Sequence, residues 1–287
     1  MNAYEYIINK QIEWANNKGI QLIGSRGNRG RKDYATCVED NLFQPLGDET
    51  REELEEGNGG ELLTAVDEPA KIQALHSSSA LGINVFDYWR GSTDLSIITA
   101  SCGLSLGGHE IPGEIRFEQK YSIEDRFLIP PNIDVVIKPQ KNDSCKAFAI
   151  ECKFTEAYSS RKHGGLDSKY FENEGIWQNL VKTKYLAQKI SPDDKYFEYL
   201  HVAQLIKHIL GLNREYGHSH YRLLYLWYDA LGEPGFKHRQ EIEEFADIVR
   251  SDGVAFYETT YQDLIISLAR HRENHSEYVS YLTERYL

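Results

Sequence analysis

Apolar and polar positions follow two rhythms along this chain, and the change of rhythm divides it. Over 4–17 the apolar residues Tyr4, Ile7, Ile8, Ile12 and Ala15 fall mostly three or four apart, the period of an amphipathic helix. The centre reads differently: three short strand-like runs at 114–121, 133–137 and 147–154 are expected to be neighbours in one sheet. Helical periodicity returns over 176–190 and 197–212, with Gly211 expected near the end of the second helix. A near-continuous apolar run at 221–228 then predicts a buried strand and 254–258 a shorter one, with helices at 237–251, 260–272 and 275–285. Helices, three close strands, long helices, a buried strand, a helix and a last short strand describe an α/β sandwich around a mixed sheet.

Three stretches fall outside this pattern. Residues 25–32, Ser-Arg-Gly-Asn-Arg-Gly-Arg-Lys, make a basic, glycine-punctuated loop without the Gly-Lys-Ser/Thr ending of a nucleotide-binding P-loop. A solvated turn and a phosphate-contacting arm both fit it. Residues 47–61 are rich in Glu, Asp and Gly with no apolar stripe, which predicts an exposed excursion. Over 68–89 a helical stretch is expected, with Ser77, Ser78 and Ser79 able to cap a new helix and packing as its role.

Composition narrows the class. With 41% hydrophobic and 26% charged residues in 287, the chain can bury a core unaided, and one α/β domain carrying extra helices is the default. Cysteines 37, 102, 145 and 152 form no CxxC pair, which argues against a disulfide framework and a structural zinc and fits a reducing cytoplasm. The first residues lack the layout of a signal peptide, and no stretch approaches the ~18 apolar residues of a membrane span. A soluble cytoplasmic protein without a membrane partner is expected. The net charge of −12 counts against gripping a polyanion, although a local basic groove can coexist with it.

The informative residues lie in two of the central runs. Asp134 is followed seventeen positions later by Glu151 and then Lys153, each set in an apolar strand. Strand alternation sends Glu151 and Lys153 to one face and Ile150, Cys152 and Phe154 to the other. Ionised groups in such a run are costly unless paired or metal-bound. Two carboxylates on adjacent strands can hold Mg²⁺, a hard ion that prefers oxygen, with the backbone carbonyl of Cys152 as a further ligand. Lys153 could then orient an attacking water or stabilise charge on phosphorus. The plainer reading makes Glu151 and Lys153 a same-face salt bridge and Asp134 a turn residue.

Asp134 with Glu151-x-Lys153, behind the proline-containing turn Pro131-Asn132-Ile133, resembles the PD-(D/E)XK nuclease motif, its Pro-Asp dipeptide relaxed. The resemblance covers about residues 110–230. It implies a restriction-endonuclease-like α/β core at 110–260, a central mixed sheet flanked by helices, with an N-terminal extension at 1–109 and C-terminal helices at 261–287. It implies a further acidic metal ligand at Glu118, with Glu114 or Glu110 as weaker candidates. Gln204-Leu205-Ile206-Lys207-His208 and the segment from His76 to Leu81 are similar to stretches of a bacterial restriction-endonuclease-like group. By resemblance the activity is Mg²⁺-dependent cleavage of DNA, with Mn²⁺ able to substitute, in restriction or defence. A repair or processing nuclease, a non-catalytic nucleic-acid-binding or assembly protein and a small-nucleotide phosphohydrolase are the alternatives. Arg161, Lys162, Lys169 and Gln204 are the expected substrate contacts, and a homodimer suits double-strand cutting. His218 and His220 read as a surface pair; Trp177, Tyr225, Trp227 and Tyr228 read as core or groove lining.

Overall fold

Asn2 accepts a hydrogen bond from the Glu5 N–H and so starts α1 (Ala3–Asn17), whose Ile7, Ile8, Gln11, Trp14 and Ala15 are buried. In the computed structural model, which describes residues 2–27, 29–66, 68–105, 112–140, 145–159 and 162–287, the basic stretch that follows is not a loop. It is an antiparallel hairpin of β1 (Leu22–Arg26) and β2 (Arg29–Ala35). Glycine is required there: a side chain on Gly24 would start 1.9 Å from the Arg29 carbonyl oxygen, at an irregularity in the pairing.

The acidic stretch at 47–61 also has more structure than its composition suggests. Residues Asp48–Glu56 form α2, which buries Thr50 and Leu54 and lies against the sheet. Glu53 anchors it, ion-paired to Arg90 and Arg116 and accepting the Phe117 N–H at 3.0 Å. A helix held by charge pairs leaves little hydrophobic periodicity to read. Over 68–89 the helix α3 occupies only Ser78–Phe86, capped by Ser77, which accepts the Ala80 N–H. Then comes α4 (Leu95–Ser101).

The central runs become β3 (Pro112–Lys120), β4 (Asn132–Pro139) and β5 (Ala147–Lys153). The helices α5 (Val181–Lys189) and α6 (Val202–Tyr216) start later than the periodicity suggests. Gly211 lies inside α6, where the Tyr121 carbonyl oxygen would sit 2.6 Å from any Cβ; its bareness permits that close approach. Next follow β6 (Tyr221–Trp227), α7 (Glu233–Ser251), β7 (Phe256–Thr260), α8 (Tyr261–Leu268) and α9 (Ser276–Tyr286).

Strands β3 to β7 form one five-stranded sheet in sequence order, antiparallel from β3 to β5 and parallel from β5 to β7. This is the mixed α/β sheet that the sequence predicts. On β5, Phe148, Ile150 and Cys152 face a core shared with α1, α3, α8 and α9. Ala147 and Ala149 face the other core, built with α5, α6 and α7. A layer on each face explains why β5 and β6 are almost wholly apolar. Arg285 locks α9 to the N-terminal segments. It is fully buried, donates to Gln11 and to both the carbonyl and the side chain of Asn41, and lies 4.2 Å from the Trp14 ring centroid.

Candidate active site

Register does the first part of the assembly. Phe117 pairs with Val135 and Gln119 with Ile133, so Glu118 falls opposite Asp134. Val135 pairs with Ile150, the last pair of the β4–β5 ladder, and one step further along the same register Asp134 falls opposite Glu151. Three carboxylates from three consecutive strands therefore form a row across the sheet where β4 and β5 cease to pair. Glu118 has φ +51°, a left-handed conformation rare outside glycine and costing about 1–3 kcal/mol. The ladder is interrupted there, and the strain lies in the carboxylate row itself.

Asp134 Oδ2 accepts the Cys152 N–H at 2.7 Å, so its carboxylate occupies the gap between the two strands. The Lys153 carbonyl accepts from the Tyr228 N–H on the β6 side. Carbonyls alternate along a strand, so the Cys152 carbonyl points back toward Asp134. Glu151 is fully buried, with Lys153 Nζ 2.7 Å from one oxygen and His208 Nε2 2.8 Å from the other. Asn132 Nδ2 donates to Glu118 at 2.9 Å. The end of α2 closes over Glu118: a side chain on Gly57 would begin 3.0 Å from its Cγ.

Burial and neighbouring carboxylates together set the electrostatics of the site. Burial pushes the Asp134 carboxyl well above its ordinary range, and Glu151 and Glu118 push it further. Burial likewise raises Glu118, to about 7, with Glu61 and Glu151 adding to the effect. Burial would raise Glu151 too, but Lys153 and His208 more than reverse this and hold it at about 2. For Lys153 burial favours the neutral amine, yet Glu151, Glu156 and Asp134 outweigh it and keep the ammonium form above its ordinary range.

The site opens into two spaces. Glu118 and Asp134, with Ser78, Ser79 and Gly82 at the start of α3, line one of about 10 Å³, the size of a single water or ion. Lys153 lines a larger cleft of about 270 Å³ with Glu156, Lys162, His163, Tyr199 and His201. There the rings of His163 and His201 stack at 4.7 Å, and burial lowers the pKa of both, His201 to about 4.

Of the sequence-derived candidates, Glu118, Asp134, Glu151, Cys152 and Lys153 thus come together, and Lys162 joins Lys153 at the cleft. Gln204 sits half-buried on α6, one turn before His208. Lys169 is exposed beside Asp167, its ammonium over the Phe127 and Tyr170 rings. Glu114 is ion-paired to Arg116. Arg161 and Glu110 lie outside the described residues. His218 makes a 2.7 Å contact to the Asp252 carbonyl, while Trp177, Tyr225, Trp227 and Tyr228 are buried. His163 and His201 escape a motif-led reading, which quotes Asn132 and His208 but assigns neither a role. For two of these four a signal was present: His201, at the N-cap of α6, stands seven residues before His208 with Gln204 between them, at helical spacing.

Among the described residues, no three His, Cys, Asp or Glu side chains are arranged to hold one metal ion. The donor chemistry nevertheless fits a hard divalent cation. Asp134, Glu151 and the Cys152 carbonyl need only two side chains between them, all through oxygen, and burial beside other carboxylates makes ionising Asp134 and Glu118 costly, a cost that a cation would offset.

An α/β core with a five-stranded mixed sheet and a carboxylate–lysine site at its splayed centre is a restriction-endonuclease-like architecture. The chain belongs to the family described as restriction endonuclease associating with ARP, which matches residues 9–287. No curated protein and no solved structure matches it. Among the described residues, no helix is long and apolar enough to cross a membrane.

Proposed function

We propose that this protein is a metal-dependent endonuclease of the PD-(D/E)XK kind, hydrolysing DNA phosphodiester bonds in restriction or defence. The observation that carries the reading is the row Glu118–Asp134–Glu151, set by strand register, with Lys153 two residues beyond Glu151 and 2.7 Å from it. Asp134, Glu151 and the Cys152 carbonyl would hold Mg²⁺, with Glu118 at the margin and Mn²⁺ an acceptable substitute. When bound, the ion supplies Lewis acidity toward a phosphate oxygen and an acidified water.

The chain's own groups do the rest. His208 and Lys153 keep Glu151 ionised within a fully buried position. Lys153, held as an ammonium and 14% exposed, faces the open cleft and is placed to stabilise negative charge growing on a phosphate oxygen. Lys162, exposed at the same cleft, suits a backbone phosphate beside the reacting one. The family's description couples its endonuclease to ARP, and we extend the proposal to a partner of that kind.

The test is cleavage of supercoiled plasmid by the native protein with Mg²⁺ or Mn²⁺, beside Lys153→Ala and a chelator control. Metal-dependent nicking or linearisation that disappears in Lys153→Ala is expected. Folded native protein inert toward duplex, single-stranded and modified DNA across metals would turn the reading to a non-catalytic assembly protein.

A further inference from the structure

We infer that the β1–β2 hairpin is a DNA-gripping arm, with Arg26, Arg29 and Lys32 contacting backbone phosphates of a duplex whose scissile bond lies at the carboxylate row. The inference rests on the nuclease reading above and adds to it how an acidic protein holds a polyanion.

Register carries the argument. Arg26 and Arg29 pair directly across the hairpin, so two guanidinium groups share one cross-strand position. Like charges placed so destabilise a strand pair, and nothing described here offsets them. Arg26, Arg29 and Lys32 are exposed, and none has a carboxylate partner among the described residues. Exposed cations such as Lys182, Lys195 and Arg270 also lack a carboxylate partner among the described residues, but Arg26 and Arg29 are in addition set directly against each other. By contrast the exposed Arg126, Arg214 and Arg250 each meet a carboxylate, in a chain of net charge −12. Two guanidinium groups paired across the hairpin with no described carboxylate between them suit an anionic partner.

The hairpin is also braced and tied to the site. Arg31 pairs with Glu5 at 2.6 Å, which fixes the hairpin to α1. Gln73 donates to the Ala35 carbonyl and the Leu75 N–H to the Asp33 carbonyl, both at 2.9 Å. The next residue, His76, accepts from Thr155 Oγ1 at 3.1 Å, and Thr155 lies two residues beyond Lys153. The root of the hairpin is thus hydrogen-bonded, through 73–76, to the active end of β5. From Asp33 to Arg29 the strand spans about 13 Å at ~3.3 Å per residue, comparable with the ~12 Å major groove.

The test is anisotropy of a labelled 30-base-pair duplex without divalent metal, over a series of KCl concentrations, for native protein and Arg26→Ser/Arg29→Ser/Lys32→Ser. Three lost phosphate contacts should flatten the plot of log affinity against log salt by about 3. Affinity at 0.1 M salt should fall at least tenfold. Arg26→Lys/Arg29→Lys should keep the native slope, which separates charge from shape, and thermal melting should show all variants folded. A triple variant that binds like a DNA-binding native protein overturns the arm and leaves the nuclease reading standing. A native protein that neither binds nor cuts duplex DNA overturns both.

Discussion

His208 Nε2 stands 2.8 Å from Glu151 Oε2, and both side chains are wholly removed from solvent. One residue comes from the middle of α6 and the other from β5, so the contact joins the helical layer to the strand that carries the candidate site. A buried carboxylate needs such partners, because leaving one unpaired costs far more than the pair returns.

Replacing that histidine should therefore weaken the whole fold. His208→Ala is expected to destabilise by about 3 kcal/mol, the scale for stripping a buried charged group of a hydrogen-bonding partner. Urea denaturation at neutral pH measures it. A change within 0.5 kcal/mol, on the order of an inert surface substitution, would mean that Lys153 alone sustains Glu151.

Acid should act on the same group. Glu151 is held at about 2 in the folded protein against an ordinary 4.5. A depressed carboxylate gives stability that is complete above the unfolded value and is lost as pH falls from about 4.5 toward 2. Native protein should lose stability through that window more steeply than Glu151→Gln, as followed by denaturant melts at pH 6, 4 and 3.

Glu118 should show the opposite sign. Its folded value is raised to about 7, so its contribution is complete below 4.5 and is lost as pH rises through 7. At pH 8 without metal, Glu118→Gln is expected to melt higher than native protein by a few degrees. A lower melting temperature would show that its carboxylate is better compensated than its neighbours suggest.

Metal should reverse that penalty. Millimolar Mg²⁺ is expected to raise the melting temperature of native protein by mass action on the folded state. Asp134→Asn should lose most of the rise. An equal rise in both proteins would place the ion elsewhere.

Arg285 gives a test away from the chemistry. Arg285→Met removes the donors that reach Gln11 Oε1 and Asn41 Oδ1 and leaves those buried oxygens unmatched, while the Asn41 carbonyl keeps Asn84 Nδ2. A loss of about 3 kcal/mol is expected, by thermal or urea melts, with each orphaned acceptor costing ~1–3 kcal/mol.

Much of this was legible from the sequence, where local chemistry dictates local structure. Runs of Val, Ile and Phe around Asp134 and Glu151 are strand-like whatever surrounds them, and alternation alone sends Glu151 and Lys153 to one face. The two misread stretches failed for physical reasons. The hairpin at 22–35 is stabilised by backbone pairing and its footing on Ala74, and α2 by the ion pairs of Glu53. Neither leaves a hydrophobic period.

By itself, the sequence singled out the candidate groups: Asp134, Glu151 and Lys153 as charges set in apolar strands, and Glu118 by resemblance. Only tertiary structure decided how they meet. Register between strands set Glu118 and Asp134 opposite one another, and α6 brought His208 to Glu151 from 57 positions away. Packing also divided the site, giving Glu118 and Asp134 an ion-sized space and Lys153 an open cleft. Periodicity follows from the local backbone, whereas register and burial depend on how distant segments fill space together.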